Sequence, residues 1–310
     1  MNNHLLNYLK FVILRPSGND TALISGIIRE TKERKRIADL VQQIYPNVEQ
    51  VGFVNYEPGN AELMMTGGEF CGNATSSAAY HLLAGKPGEI KIKVSGVKNR
   101  ISAGVTKNGE GFSQMPVYPD PSYIKQDPTH PGNFLVVMEG ITHYVDFDIS
   151  QIRGLTELEI KTKARNKMQT LGIDKNAACG IIYARPINNK QSLKFSLSSN
   201  YKWMICPVVY VRDADTLYLE TACASGTTAL GLILAQRNSK SIKEMSVKQP
   251  SGLTIKVSVE FNSILFGYVQ IQSYIKKIDQ GILEFNPYST ILSKLLSRLS
   301  INHPFSFRTH

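Results

Sequence analysis

Two short blocks of this chain set residues able to do chemistry in the same arrangement. One is Glu69-Phe70-Cys71-Gly72-Asn73-Ala74-Thr75, the other Thr221-Ala222-Cys223-Ala224-Ser225-Gly226-Thr227. Each puts a cysteine before three small or polar residues, places a threonine four positions on, and enters an alanine-rich stretch. A cysteine that precedes a small-residue helix sits at the helix N-terminus. Unpaired N–H groups and the partial positive charge there stabilise a thiolate and also bind a carboxylate. Two such ends facing each other would offer a thiolate, a thiol and a ring of backbone donors. Those parts fit inversion at the α-carbon of an amino acid. One cysteine removes the α-proton, the other protonates the opposite face, and the donors stabilise charge developing on the carboxylate. The scheme requires neither pyridoxal phosphate nor a metal. The small residues Gly72, Asn73, Ala74, Ser225, Gly226 and Thr227 let the backbone approach a substrate closely.

Other readings of these residues stay open at this point. Both cysteines could be buried helix-start residues, although two matched settings argue against coincidence. A Cys-His nucleophile could be drawn from the six histidines, but it needs no duplicated block. A redox pair is a weaker reading of the same two thiols. A non-catalytic amino-acid-binding protein would need the helix ends and not the sulfurs. A basic interaction protein would show binding that falls steeply with salt.

The elements that must position the cysteines can be read from periodicity. Strand patterns cover Lys10–Leu14, Ala22–Ile28, Gln50–Asn55, Ala61–Met65, Ile90–Val94, Arg100–Val105 and Gly111–Met115. In the second half they cover Phe134–Met138, Ile141–Val145, Cys179–Arg185, Cys206–Val211, Thr216–Leu219, Leu253–Phe261 and Leu265–Gln272. Alternating or β-branched and aromatic residues between Gly, Pro and Asn punctuation carry these assignments. Helical spacing marks Arg34–Ile44, Gly72–Ala84, Leu155–Leu171 and Ala224–Gln236. Each half runs strand, cysteine-led helix, Ser-Gly, strand, with Ser95-Gly96 after Cys71 and Ser251-Gly252 after Cys223. The shared order predicts an α+β chain of two pseudo-symmetric domains. Each would be a mixed or antiparallel sheet wrapped around a central helix, with a pocket between them. The expected domains are 1–125 and 126–273, with a final strand at about 274–286 returning to the first. An extension, 287–310, holds an amphipathic piece at Ser289–Leu299 that could pack on the body or on a second subunit, as in a homodimer.

Bulk composition narrows the classes. The 310 residues carry a net charge of +10 and are 42% hydrophobic, enough for an ordinary core. The basic clusters at Arg29–Arg36, Lys91–Arg100 and Lys161–Lys167 sit in patterned segments and read as solvated faces. No stripe joins basic and aromatic residues, so nucleic-acid binding is not expected. The four cysteines, Cys71, Cys179, Cys206 and Cys223, form no CxxC pair. Cys179 and Cys206 read as small buried hydrophobes. Asn7 and Lys10 interrupt the N-terminal apolar run and no cleavage site follows, so no signal peptide is expected. No run approaches ~20 apolar residues, which argues against a membrane span. A cytoplasmic enzyme acting on a small amino acid is the expectation.

The two blocks resemble the catalytic segments of diaminopimelate epimerases and proline racemases. Other landmarks follow the epimerase order. Pro16-Ser17-Gly18-Asn19-Asp20 resembles an N-terminal Gly-Asn-Asp loop, and Glu49-Gln50 stands at the Asp-Gln position. Thr142-His143-Tyr144-Val145 resembles a Pro-His-x-Val strand, and Gln249-Pro250-Ser251-Gly252 a His-Gly-Gly loop. The resemblance covers roughly residues 10–286. It implies the epimerase fold, Cys71 and Cys223 as acid and base, and Asn19 and Glu49 at the substrate. It also implies support from Ser17 and from His143 through a hydrogen bond to a cysteine. For His143 a polar residue satisfied at a strand edge is the other reading. One landmark is missing: the epimerases place Glu-Arg-Gly shortly before the second cysteine, where this chain has Asp213-Ala214-Asp215-Thr216-Leu217-Tyr218. A distal carboxylate would meet acids there rather than a bidentate cation. Glu49-Gln50-Val51-Gly52-Phe53, Gly68–Thr75 and Pro16–Asn19 are similar to the histidine racemases that begin opine-metallophore biosynthesis. That resemblance implies L-histidine as substrate, with Glu49 approaching its imidazole or amino group. A diaminopimelate or proline-type isomerase is the runner-up.

Overall fold

The computed structural model describes residues 7–187 and 203–285. The expected extension 287–310 therefore lies outside the described residues. The first part of the chain forms β1 (Asn7–Pro16), β2 (Asp20–Ser25), α1 (Thr31–Ile44), β3 (Val48–Asn55) and β4 (Glu62–Met65). It continues through α2 (Gly72–Leu82), β5 (Gly88–Val94), β6 (Ile101–Val105), β7 (Gly111–Gln114) and β8 (Ile124–Gln126). Next come β9 (Phe134–Met138), β10 (Ile141–Asp146), α3 (Glu157–Thr170), β11 (Ala178–Pro186), β12 (Trp203–Val211) and β13 (Thr216–Leu219). The last elements are α4 (Ala224–Arg237), β14 (Ile242–Lys248), β15 (Thr254–Phe261), β16 (Phe266–Ser273) and β17 (Ile275–Phe285).

The pairing pattern occurs twice. In the first half β1 and β2 are antiparallel, β2 and β3 parallel, β3 and β4 antiparallel, and β4 and β5 parallel; β5, β6 and β7 form a meander. In the second half β9–β10, β10–β11, β11–β12 and β12–β14 repeat that alternation, and β14, β15 and β16 form the second meander. Parallel neighbours need a crossover, and a helix supplies each one. α1 and α3 lie in the first crossover of each half, α2 and α4 in the second. The halves are sewn together where β16 pairs with β7 and where β17 runs antiparallel to β1.

Burial separates the helices into two kinds. α1 turns Ile37, Ala38 and Val41 inward and covers one outer face. α3 does the same with Ile160, Ala164 and Met168, and Thr156 and Glu159 close its start as a capping box. α2 is buried from Gly72 to Ala79, and α4 from Ala224 to Ala235. A helix apolar on all sides belongs inside a core. α2 packs on β1, β2, β3, β5, β6 and β7, and α4 on β9–β12 and β14–β16. One apolar cluster runs through both sets.

The sequence patterns locate α1–α4 and most of the strands within a few residues. Two strands gave no pattern. β8 has only three residues. β14 carries a bulge between Ile242 and Met245, where Glu244 has φ +45°, and this breaks its two-residue alternation. Cys179 is fully buried as expected, whereas Cys206 is only half-buried.

One turn joins the two ends of the fold. Gly18, with φ +109°, lies so close to Ser251 that a β-carbon there would sit 2.2 Å from the Ser251 Cβ. Ser251 Oγ donates to Ser17 O at 2.6 Å, and Ser17 Oγ donates to Thr254 O at 2.8 Å. Gly18→Ala combines an unfavourable φ with a clash against the Ser251 side chain. It should lower stability by about 2 kcal/mol or more, read as a melting-temperature drop of several degrees. An unchanged melting temperature would refute the close approach.

Candidate active site

The repeated blocks form matched N-caps. Cys71 and Cys223 are both extended, with φ/ψ of −133°/112° and −129°/107°. The Cys71 sulfur accepts the Ala74 N–H at 3.3 Å, and the Cys223 sulfur accepts the Gly226 N–H at 3.3 Å. The threonine four positions on has one job in both blocks. Thr75 Oγ1 donates to Cys71 O at 2.7 Å, and Thr227 Oγ1 donates to Cys223 O at 2.8 Å. The two Ser-Gly pairs also play one part: each pins the carbonyl two residues before a cysteine. Ser95 Oγ donates to Glu69 O at 2.7 Å, and the Ser251 N–H donates to Thr221 O at 2.9 Å.

The helix starts meet. A β-carbon on Gly72 would lie 2.9 Å from the Ala224 Cβ and 3.0 Å from the Met115 sulfur. Asn73 Nδ2 crosses to Ala222 O at 2.8 Å and ties the start of α2 to the segment leading into α4. A cleft of about 780 Å³, measured out to its open mouth, lies over the junction and is lined by both cysteines. Gly72, Asn73, Ala224 and Ser225 share its wall.

Of the other residues singled out in the sequence, Glu49 also lines this cleft. Asn19 stands behind it, donating from Nδ2 to Glu49 Oε2 at 2.7 Å. Thr221 also donates to Glu49, through its hydroxyl and its N–H. Ala74 and Gly226 act through their N–H groups on the sulfurs, and Thr227 through the Cys223 carbonyl. Ser17 supports the turn that carries Ser251. His143 is fully buried, and its Nε2 lies 2.8 Å from Ser225 Oγ, which in turn lies 3.5 Å from the Cys223 sulfur. A Cβ on Gly180 would come within 2.5 Å of His143 Nδ1, so this glycine makes room for the ring. Burial holds the imidazole neutral, its pKa pushed down to about 3.

Three polar residues assigned no role in the sequence complete the site. The Cys71 thiol donates to Gln50 Oε1, and Gln50 Nε2 donates to Glu220 Oε1 at 2.9 Å. Glu220 also lies against the Cys223 thiol, so a polar chain links the two sulfurs. Gln249 accepts the Cys223 N–H at 3.0 Å and donates to Thr227 Oγ1 at 3.0 Å. Glu220 had one weak signal available, an acid close before the second cysteine, although Thr221 and not Glu220 stands at the position that Glu69 holds before the first. Asp213 and Asp215, the acids that replace Glu-Arg-Gly, are exposed; the acids on the cleft wall are Asp39, Glu49, Glu69 and Glu220.

Electrostatics holds the thiols and two of the carboxyls toward their protonated forms. Burial pushes both thiols up, and the charge of Glu220 adds to this, outweighing the helix N–H groups. Burial raises Glu49 to about 7 and Glu220 to about 8, and each carboxylate repels a neighbouring one. Both carboxyls therefore bind protons more tightly folded than unfolded. Their contribution to stability is complete below the unfolded carboxylate pKa of ~4.3 and is lost as pH rises through neutrality. Glu220→Gln removes one of these groups. Its melting temperature relative to the wild type should rise between pH 5 and pH 8. A pH-independent difference would contradict the assignment.

Comparison with known proteins agrees with the geometry. Residues 8–283 match the family model described as the histidine racemase CntK N-terminal domain. A histidine racemase from Staphylococcus aureus is 26% identical over 269 residues, which is 83% of this chain and 90% of that protein. One from Fusobacterium nucleatum is 28% identical over 254 residues, 79% of this chain and 86% of that protein. Among solved structures, a hydroxyproline epimerase from Agrobacterium vitis with bound trans-4-hydroxy-L-proline superposes with a TM-score of 0.60. It is 9% identical and covers 91% of this chain and 94% of its own. A phenazine biosynthesis protein of the PhzF family from Enterococcus faecalis gives 0.53 at 13% identity, covering 89% and 99%. The sheet-dominated α+β fold is thus shared with PhzF-like and proline-racemase-like proteins, and the chain belongs to the histidine racemase family, a family of isomerases.

Proposed function

We propose that the chain interconverts L- and D-histidine by a two-base mechanism at Cys71 and Cys223, without a cofactor. The observation that carries this reading is the pair of N-capping thiols on convergent helix starts. Two units would make the site, residues 1–125 around α2 and 126–273 around α4, with β17 returning to the first. The repeated strand pairing supports that division.

The substrate carboxylate would lie at the first N–H groups of α2 and α4, which have no intrahelical acceptor. This places the α-carbon between the sulfurs. One cysteine, as thiolate, takes the α-proton; the C–H electron pair passes toward the carboxylate, where the helix N–H groups stabilise the added charge. The other thiol delivers its proton to the opposite face. The product leaves with inverted configuration, and the cysteines have exchanged protonation states. The high thiol pKa makes each thiolate a strong base. It forms when a cationic substrate offsets its charge, the Cys223 thiol passing its proton to the ionised form of Glu220 beside it.

The cleft wall favours a cationic substrate. Four acids line it against Lys35, whose ammonium donates to Ala214 O at 2.6 Å. The α-ammonium fits the acid at Glu49, held by Asn19 and Thr221. A second carboxylate, as in diaminopimelate, would face acids rather than a pairing cation. The names of the family and of the relatives support histidine, and the resemblance to racemases of opine-metallophore biosynthesis suggests that route for D-histidine. The reducing cysteine pattern supports a cytoplasmic setting.

In deuterated water the reduced protein should introduce deuterium at Cα of L-histidine as optical rotation falls to zero. Cys71→Ser and Cys223→Ser should each reduce racemisation by roughly 10³-fold. Near wild-type rates in both variants would eliminate the two-base assignment.

A further inference from the structure

The acids of the cleft differ in how fully the protein itself uses them. The Glu49 carboxylate is occupied by Asn19 and by two donors of Thr221. Glu220 accepts from Gln50 and lies against the Cys223 thiol. Asp39 is exposed at the mouth, 3.9 Å from the Lys35 ammonium. Glu69, itself half-buried, is the only one of the four with a buried oxygen, Oε2, that has no hydrogen-bond partner among the described residues. A buried carboxylate oxygen without a donor is costly, and its persistence at a cleft wall calls for a ligand.

The surroundings of Glu69 leave that oxygen unpaired. Burial raises the carboxyl above its usual range, opposed by the N–H groups of Glu69 itself and of Gly67. Gly67 makes the space, since a β-carbon there would lie 2.8 Å from Oε2 and 2.6 Å from Val211 Cγ1. Arg34 is nearby and its charge favours the ionised acid, yet its guanidinium is committed elsewhere. It donates to Thr66 O, Ile28 O, Arg29 O and Thr31 Oγ1. The Glu69 backbone is fixed from behind by Ser95.

Position relative to the chemistry points to the part of the substrate involved. Glu69 is two residues before Cys71, and Cys71 is extended. Two residues of separation put the Glu69 side chain on the same cleft wall as the Cys71 sulfur. A histidine whose α-carbon lies at the Cys71 sulfur and whose side chain runs back along this segment brings an imidazole N–H to Glu69.

Resting on the histidine-racemase reading, we infer that Glu69 is the specificity residue of the site, accepting an imidazole N–H of the substrate through Oε2. A site built to receive an N–H rejects an analogue lacking it, because the acceptor is then left buried and unpaired. Glu69 does not touch the reacting carbon, so its loss should weaken binding of the side chain and leave proton transfer nearly intact.

The test compares wild type with Glu69→Gln, which keeps shape and removes charge. L-histidine racemisation is followed by deuterium incorporation to give kcat and KM. L-2-thienylalanine, an isostere without a ring N–H, is the competitor. The expected result is a KM for histidine raised at least tenfold, kcat within threefold, and inhibition by the isostere unchanged within threefold. Glu69→Asp, which withdraws the oxygen but keeps the charge, should raise KM as well; it serves if the Gln variant does not fold. An unchanged KM overturns the inference, and so does equal weakening of histidine and the isostere. If wild-type protein exchanges no deuterium into histidine, the racemase reading itself fails, a result distinct from a loss confined to Glu69.

Discussion

The site depends on the ends of two helices coming together inside an apolar core. Helix N-termini carry unpaired donors and partial positive charge, and two of them at one point repel. Each must also lose side-chain volume for the backbones to meet. Gly72 answers the steric part, since any β-carbon there would collide with Ala224 and Met115. The sulfurs answer part of the donor problem by accepting the Ala74 and Gly226 N–H groups. What remains is a region of positive potential ringed by four acids. An amino acid supplies the complement, a carboxylate for the helix ends and a cation for the acids.

The acids also control when the thiols ionise. A thiolate at a helix start is favoured by the N–H groups, but burial and the charge of Glu220 oppose it more strongly. In the proposed mechanism the balance tips when positive charge enters the cleft. Substrate binding and base formation are then one event, and thiols protonated between turnovers are poorer targets for oxidation. His143 takes no part in that charge count. Buried and neutral, it orients Ser225 beside Cys223, a positioning role for an imidazole with no carboxylate among its hydrogen-bond partners.

Much of this was legible in the sequence because the chain says it twice. The cysteine blocks, the threonines and the Ser-Gly pairs recur in one order, and repetition exposes residues that single motifs would leave ambiguous. The helices that follow each cysteine read clearly, since runs of small and apolar residues mark both and Gly85 marks the end of the first. What escaped lies outside the repeat. Gln50, Glu220 and Gln249 have no counterparts that periodicity could reveal, and they reach the thiols only once β3, β13 and the turn after β14 are folded together. Asn19 and Ser17 were named from a loop resemblance, but only the fold shows that they act through Glu49 and Ser251. β14 was hidden by its bulge, which shifts the alternation a strand is recognised by.

The asymmetry between the blocks carries the rest of the function. A perfect repeat would give two equivalent faces, suitable for passing a proton either way but without means of choosing a side chain. Glu69 and Thr221 hold the same place, two residues before each cysteine, and Ser95 and Ser251 fix them alike. Thr221 turns its hydroxyl to Glu49 and is used up in the scaffold, whereas Glu69 keeps a buried oxygen without a partner among the described residues. On the proposed reading the repeated backbone supplies the symmetric chemistry, and the side chains that break the symmetry supply recognition. A substitution that made the two positions alike would preserve the proton-transfer geometry while erasing the difference by which one amino acid is told from another.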